Sequence, residues 1–187
     1  MLESRPPGVC IWFTGQSGAG KSTITRALVP LLESQGRTVS VLDVVPLLRK
    51  RWWESSSEGK LLRKAYVASQ IVAHGGVAVA VTVSARPEVR EKARDIVGSD
   101  RFVEVRVAPP PEVARQRKAA RPKRPPLVKR VRRLVRAVIA RLSPGRKDVA
   151  VRDPDLVIDS SVVSASDAAE AILRLLVTRG LMAPSGG

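Results

Sequence analysis

Gly15–Ser22 read GQSGAGKS, a complete G-x-x-x-x-G-K-[ST] pattern. The glycines Gly15, Gly18 and Gly20 permit backbone turns that aim successive N–H groups of the loop, those of Ser17 and Ala19 included, at phosphate oxygens. The pattern puts Lys21 as a point charge on the β- and γ-phosphates of a nucleoside triphosphate. It puts the Ser22 hydroxyl on Mg²⁺. Such a loop works only between a strand and a helix, because the helix N-terminus adds its positive dipole end to the anion site. The flanks comply. Val9–Thr14 (VCIWFT) is apolar and β-rich, and Ser22–Ser34 carries Ile24, Ala27, Leu28, Leu31 and Leu32 at helical spacing, with Gly36 as its stop.

Asp43 follows a second short strand, Thr38–Leu42, at the strand end where ligands of doubly wound sheets gather. It holds Mg²⁺ through water, orients an acceptor hydroxyl, or serves as a loop or N-cap residue. Ser84 ends a third strand, Val77–Val83, on the same rim. It suits a hydrogen bond to an acceptor or phosphate, and equally a turn. Arg90 and Arg94, four apart and near Glu88 and Glu91, are expected on a solvated helix face. Arg115, Arg117 and Arg121 follow a fourth strand, where P-loop kinases carry a lid whose arginines close over ATP. Arg117 is the best placed of the three; a solvated basic helix is the alternative. Trp52 and Trp53 beside Arg49, Lys50 and Arg51 could stack on a base and hold an anion, or anchor the core. Cys10 reads as an apolar filler and His74 as a helix-end residue.

The positioning elements alternate. After the strands at Val9–Thr14, Thr38–Leu42 and Val77–Val83 come Phe102–Val107 and Leu156–Ile158. Helices are expected at Ser22–Ser34, Glu58–Ala73, Pro87–Val97, Pro110–Ala120 and Ser166–Leu176. Strands apolar on both faces suit a parallel sheet buried between helices, and crossovers of this kind are right-handed. The expectation is an α/β P-loop NTPase fold with a five-stranded parallel sheet. One domain over residues 1–187 is expected, with a basic lid insert at 115–147 and a flexible tail at 182–187.

Composition narrows the class. The chain has 187 residues, 44% of them apolar, enough to bury a core. The longest apolar run, Val77–Val83, is too short to span a bilayer, and the N-terminus lacks a signal-peptide pattern. One cysteine and one histidine exclude an internal disulfide and the common zinc clusters. A cytoplasmic protein is expected.

The net charge of +16 is concentrated. Arg115–Lys147 holds 14 of the 33 basic residues and no acid, so the rest of the chain is nearly neutral. Within it, Leu127, Val131, Leu134, Val138 and Leu142 form an apolar stripe among arginines. Three readings are open: a lid helix docked on the core, a surface for an anionic partner, or a nucleic-acid or membrane-facing arm. The insert has no aromatics, so base stacking is unsupported and nucleic acid is not favoured.

The stretch IWFTGQSGAGKST (Ile11–Thr23) closely resembles the first strand and phosphate loop of the adenylylsulfate (APS) kinase family. VLD (Val41–Asp43), the strand ending at Ser84, FVEVRV (Phe102–Val107) and DPDLVIDSS (Asp153–Ser161) continue the resemblance in the family's order. It implies a P-loop kinase that moves the ATP γ-phosphate to the 3′-hydroxyl of APS with Mg²⁺. It implies ATP contacts from Gly15, Ser17, Gly18, Ala19, Gly20, Lys21, Ser22, Thr23 and Arg117. Ser22 and Asp43 would hold the metal, and Asp43, Arg49, Arg63 and Ser84 would meet the acceptor. Lys21 and Asp43 would carry the chemistry.

The departures gather on the acceptor side. The family's D-G-D-N is Asp43-Val44-Val45-Pro46 here, so the second carboxylate is Val45. Leu48 stands where an arginine is expected, with Arg49 beside it. In the family's R-x-x-N-I-R-R run the leading arginine is Glu58 and the asparagine Leu61, while Arg63 is retained. Unpaired substrate polar groups typically cost ~1–3 kcal/mol each, enough together to erode specificity for APS. A kinase for another small anionic hydroxyl substrate is therefore expected, with a homodimer compatible. The alternative is a nucleotide-regulated binding protein or impaired homologue that uses its basic helix on an anionic partner.

Overall fold

The computed structural model describes residues 7–43, 57–83, 87–120 and 154–183. Five parallel strands form one sheet: β1 (Val9–Thr14), β2 (Val39–Leu42), β3 (Val77–Val81), β4 (Phe102–Val107) and β5 (Leu156–Ile158). Their spatial order is β2-β3-β1-β4-β5. The register sets Val9 against Val77 on one side of β1 and Cys10 against Phe102 on the other. β1 is thus central, and the chain crosses it between β3 and β4. A parallel sheet opens its ligand crevice where the winding reverses, at the carboxyl ends of the strands, which is where the Gly15–Ser22 loop emerges.

The pleat divides the core. Val9, Ile11 and Phe13 of β1 face α1 (Lys21–Ser34) and α5 (Ala165–Thr178). Cys10 and Trp12 face α2 (Ser57–Ala73) and α3 (Pro87–Val97). Every β1 side chain is buried, as expected for a strand covered on both faces. Each fully buried Val, Leu, Ile or Phe contributes about 1.5–3 kcal/mol. Trp12 packs on Phe102 with ring centroids 5.5 Å apart. α5 starts at a side-chain N-cap: Ser164 accepts from the Asp167 N–H and its hydroxyl donates to the Asp167 carboxylate. Buried Arg37 donates to the carbonyls of Pro7 and Leu181 and so fastens both ends of the described chain to the core.

Two expectations need correction. Met182, the first residue of the expected tail, is buried in the α1/α5 core beside Leu181. Arg90 and Arg94 are not on a solvated face. Arg90 is 2% exposed and pairs with Glu104 at 3.0 Å; Arg94 lies near both Glu104 and Asp155. Arg179 of the last turn pairs with Asp155, whose other oxygen accepts from the Glu104 N–H. The arginines turn inward because β4 places a carboxylate in the middle of the sheet. Burial raises the Glu104 pKa; Arg90 and then Arg94 oppose the shift. Among the described residues no helix is long and apolar enough to cross a membrane.

Candidate functional site

The loop after β1 takes its shape from three glycines at positive φ: Gly15 at 136°, Gly18 at 95° and Gly20 at 94°. A side chain at Gly15 would collide with the Val107 carbonyl at the end of β4, and one at Gly18 with the Ala114 carbonyl. Both positions need glycine for backbone conformation and for close approach. Helix α1 begins at Lys21, directly after Gly20, so the loop amides and the helix N-terminus face one place. The buried Lys21 ammonium donates to the Gly15 and Gln16 carbonyls at 2.6 and 2.9 Å, which hold it over the loop. Ser17 is exposed at the loop tip. Ser22 and Thr23 are exposed on the first turn of α1.

Helix α4 (Pro111–Ala119) packs on this loop through the gap left by Gly18. Arg117 leaves its last turn and donates to the Ser160 hydroxyl at 2.9 Å and to the Ser160 carbonyl at 3.0 Å. Ser160, just beyond β5, donates to the Ala19 carbonyl at 2.7 Å. Arg115 instead stays on its own helix, paired with Glu112 and the Pro111 carbonyl. The sequence expectation for Arg117 thus places it beside the phosphate loop. Neighbouring Asp159 accepts from the Ser161 N–H and hydroxyl, which hold its pKa below the usual carboxylate range, with Arg117 adding to the effect.

Asp43 is exposed at the end of β2, on the same rim. Thr82, after β3, donates its hydroxyl to the Phe13 carbonyl at 2.7 Å and ties the β3 end to the β1 end. Between β2 and β3 lies a residue the sequence reading passed over. Lys64 of α2 donates to the Val81 carbonyl at 2.7 Å and to the Asp43 carbonyl at 3.2 Å. Its pKa is lowered by burial, and the Asp43 carboxylate acts in the opposite direction. Arg63, one position earlier, is exposed, and Leu61 packs against the α2/α3 core.

The structure therefore brings together the Gly15–Ser22 loop, Lys21 and Arg117, while Asp43 stands at the end of β2, two strands away from β1 on the same rim. Arg49, Ser84, Trp52, Trp53, Arg121 and residues 121–147 of the insert lie outside the described residues. Two signals had pointed to the missed residues. Lys64 falls on the apolar stripe of Leu61, Ala65, Ala68 and Val72, where a lysine must reach a partner. Ser160 lies two residues beyond β5, on the rim shared by all parallel strand ends.

The description adenylylsulphate kinase belongs to the family whose sequence model matches residues 7–121. An adenylyl-sulfate kinase of Paraburkholderia xenovorans is 35% identical over 179 residues, covering 92% of this chain and 95% of that protein. One of Microcystis aeruginosa is 36% identical over 115 residues, covering 59% of this chain. That match spans only 62% of the Microcystis protein. In fold, the chain is similar to Mycobacterium tuberculosis APS kinase CysC, solved in complex with AMPPNP and APS. The TM-score is 0.69 and the identity 23%, over 91% of this chain and 98% of that one.

Proposed function

The chain belongs to the adenylylsulphate kinase family, and on that premise we propose that it transfers the γ-phosphoryl group of ATP to a hydroxyl of a small anionic acceptor. The observation that carries this reading is the packing of α4 on the Gly15–Ser22 loop, which holds Arg117 beside Ala19 through Ser160. A glycine loop alone binds phosphate. A loop with a fixed ammonium and a guanidinium arriving from a separate helix surrounds a polyphosphate from two sides.

The loop amides and Lys21 bind the β- and γ-phosphates and stabilise charge on the transferred group. Arg117 closes on ATP, with residues 115–147 as the lid it belongs to. Ser22 and Asp43 suit Mg²⁺: both are exposed hard oxygen donors, one on the first turn after the loop and one at the end of β2, and this ion takes few protein ligands beside phosphate and water. When bound, Mg²⁺ supplies charge neutralisation between the β- and γ-phosphates. Asp43 also orients the acceptor hydroxyl. Arg49, Arg63 and Ser84 are proposed to meet the acceptor.

APS is the acceptor by family default. Leu61, which sits where the family has a polar residue, packs against core side chains, and this supports a different hydroxyl acceptor. An ATP-consumption screen over hydroxyl compounds, APS included, tests the reading. The expected outcome is acceptor-dependent ADP formation, with APS turned over below a kcat/KM of ~10⁴ M⁻¹s⁻¹. APS turnover above that value would overturn the altered acceptor. Absence of ADP formation with every acceptor would overturn the phosphotransferase reading.

A further inference from the structure

Lys64 is 7% exposed, and a buried ammonium is costly unless its charge is compensated. Its two hydrogen bonds go to neutral carbonyls, those of Val81 and Asp43. An ammonium has three N–H donors, so one is uncommitted among the described residues. No carboxylate among them forms an ion pair with it; Asp43 acts on it only through space. The two carbonyls belong to the carboxyl ends of β2 and β3, so the ammonium stands at the ligand-bearing rim, beside Asp43 and one strand away from the phosphate loop. Exposed Arg63 has no such constraint.

We propose that Lys64 is a specificity-determining residue that binds the anionic group of the acceptor, a sulfate or phosphate, through its remaining N–H. The inference rests on the phosphotransferase reading for the word acceptor, but not for the anion site. Two carbonyls fix the ammonium in place, so little side-chain freedom is lost when an anion arrives. A tetrahedral oxyanion supplies the missing acceptor and a direct charge partner in addition to the through-space influence of Asp43. A neutral hydroxyl compound would leave the ammonium with only the through-space influence of Asp43, and this gives the site a physical basis for preferring anionic acceptors.

The test uses the full chain with its phosphate loop filled by Mg²⁺ and AMPPNP, so that added anions cannot enter there. The Lys64 side-chain ammonium is followed by NMR, its signal identified by absence in Lys64→Met, while sodium sulfate or APS is titrated. The expected result is a saturable shift of that signal. Lys64→Met should weaken the binding about tenfold, as for loss of one charge-assisted hydrogen bond, and Lys64→Arg should restore most of it. AMPPNP affinity should be unchanged in both variants. A Lys64 signal unmoved by both probes would overturn the proposal, and this readout needs only the wild-type protein if Lys64→Met fails to fold. Unmoved Lys64 together with acceptor turnover would reject the anion site and leave the phosphotransferase reading standing. A saturable shift without turnover of any acceptor would support the site and reject that reading.

Discussion

Arg117 donates to both the hydroxyl and the carbonyl of Ser160, and through the Ser160 hydroxyl it is linked to the Ala19 carbonyl of the phosphate loop. The link joins three segments far apart in sequence: the end of α4, the turn after β5 and the loop after β1. It fixes a guanidinium beside the loop. Preorganised charge loses less freedom on binding than a free arginine would. Ser160→Ala removes the hydroxyl that joins Arg117 to Ala19 but leaves the carbonyl contact. KM for ATP should rise about three- to tenfold, with a larger rise in Arg117→Ala, and kcat should change less. Steady-state kinetics at varied ATP would show this, and an unchanged KM in both variants would remove Arg117 from the nucleotide site.

Lys21 sits over the loop, held by the Gly15 and Gln16 carbonyls. Lys21→Ala removes the charge proposed to meet the β- and γ-phosphates. A fall of about 10²-fold or more in turnover is expected, as for loss of one preorganised donor in other enzymes. ATP titration and turnover measured on the same preparation check this. Wild-type values for both would mean that the loop does not bind the triphosphate.

Asp43 is the carboxylate at the end of β2, and Val45 takes the place of the family's second one. Asp43→Asn keeps its shape and removes its charge. The expected outcome is a large fall in kcat at nearly constant ATP affinity, because the group is proposed to act on metal or acceptor during transfer. Retained kcat would move the role to another acid, with Glu54 or Glu58 as the next candidates.

Arg90 is buried against Glu104. Arg90→Met leaves that carboxylate with the more distant Arg94, and removing one partner of a buried pair typically costs about 3–5 kcal/mol. The pH dependence has a definite sign. Glu104 already has a raised pKa, and losing Arg90, its largest opposing influence, raises it further. A raised folded-state pKa gives stability that is present below the unfolded value of 4.5 and lost as pH rises through the folded value. The stability gap between wild type and variant should therefore widen from pH 5 to pH 7.5. Urea denaturation at the two pH values measures it. A gap that narrows over this range would show that Arg90 does not hold the charge of Glu104.

The phosphate loop and the strands were legible in sequence because they are local. Val9–Thr14, Phe102–Val107 and Leu156–Ile158 are strands with the bounds their composition implies, since apolar β-branched runs between turns have few other outcomes. Gly15, Gly18 and Gly20 announce positive φ by their type alone. Sequence by itself thus determined the fold class, the nucleotide loop, and the rim on which Asp43 stands.

Tertiary structure decided which charges face inward. Arg90 and Arg94 look like any i, i+4 pair on a charged helix, and only the pairing of β4 with β1 and β5 shows Glu104 and Asp155 waiting beneath them. Arg63 and Lys64 are neighbours of the same charge, yet the turn of α2 exposes one and buries the other. Ser160 is unremarkable until β5 sets it against Ala19. A charge or hydroxyl gains its role from the partner it meets, and those partners lie tens of residues away in the chain. Periodicity encodes which face of an element is apolar; the groups that face it across the fold are fixed only when the sheet closes and the helices dock.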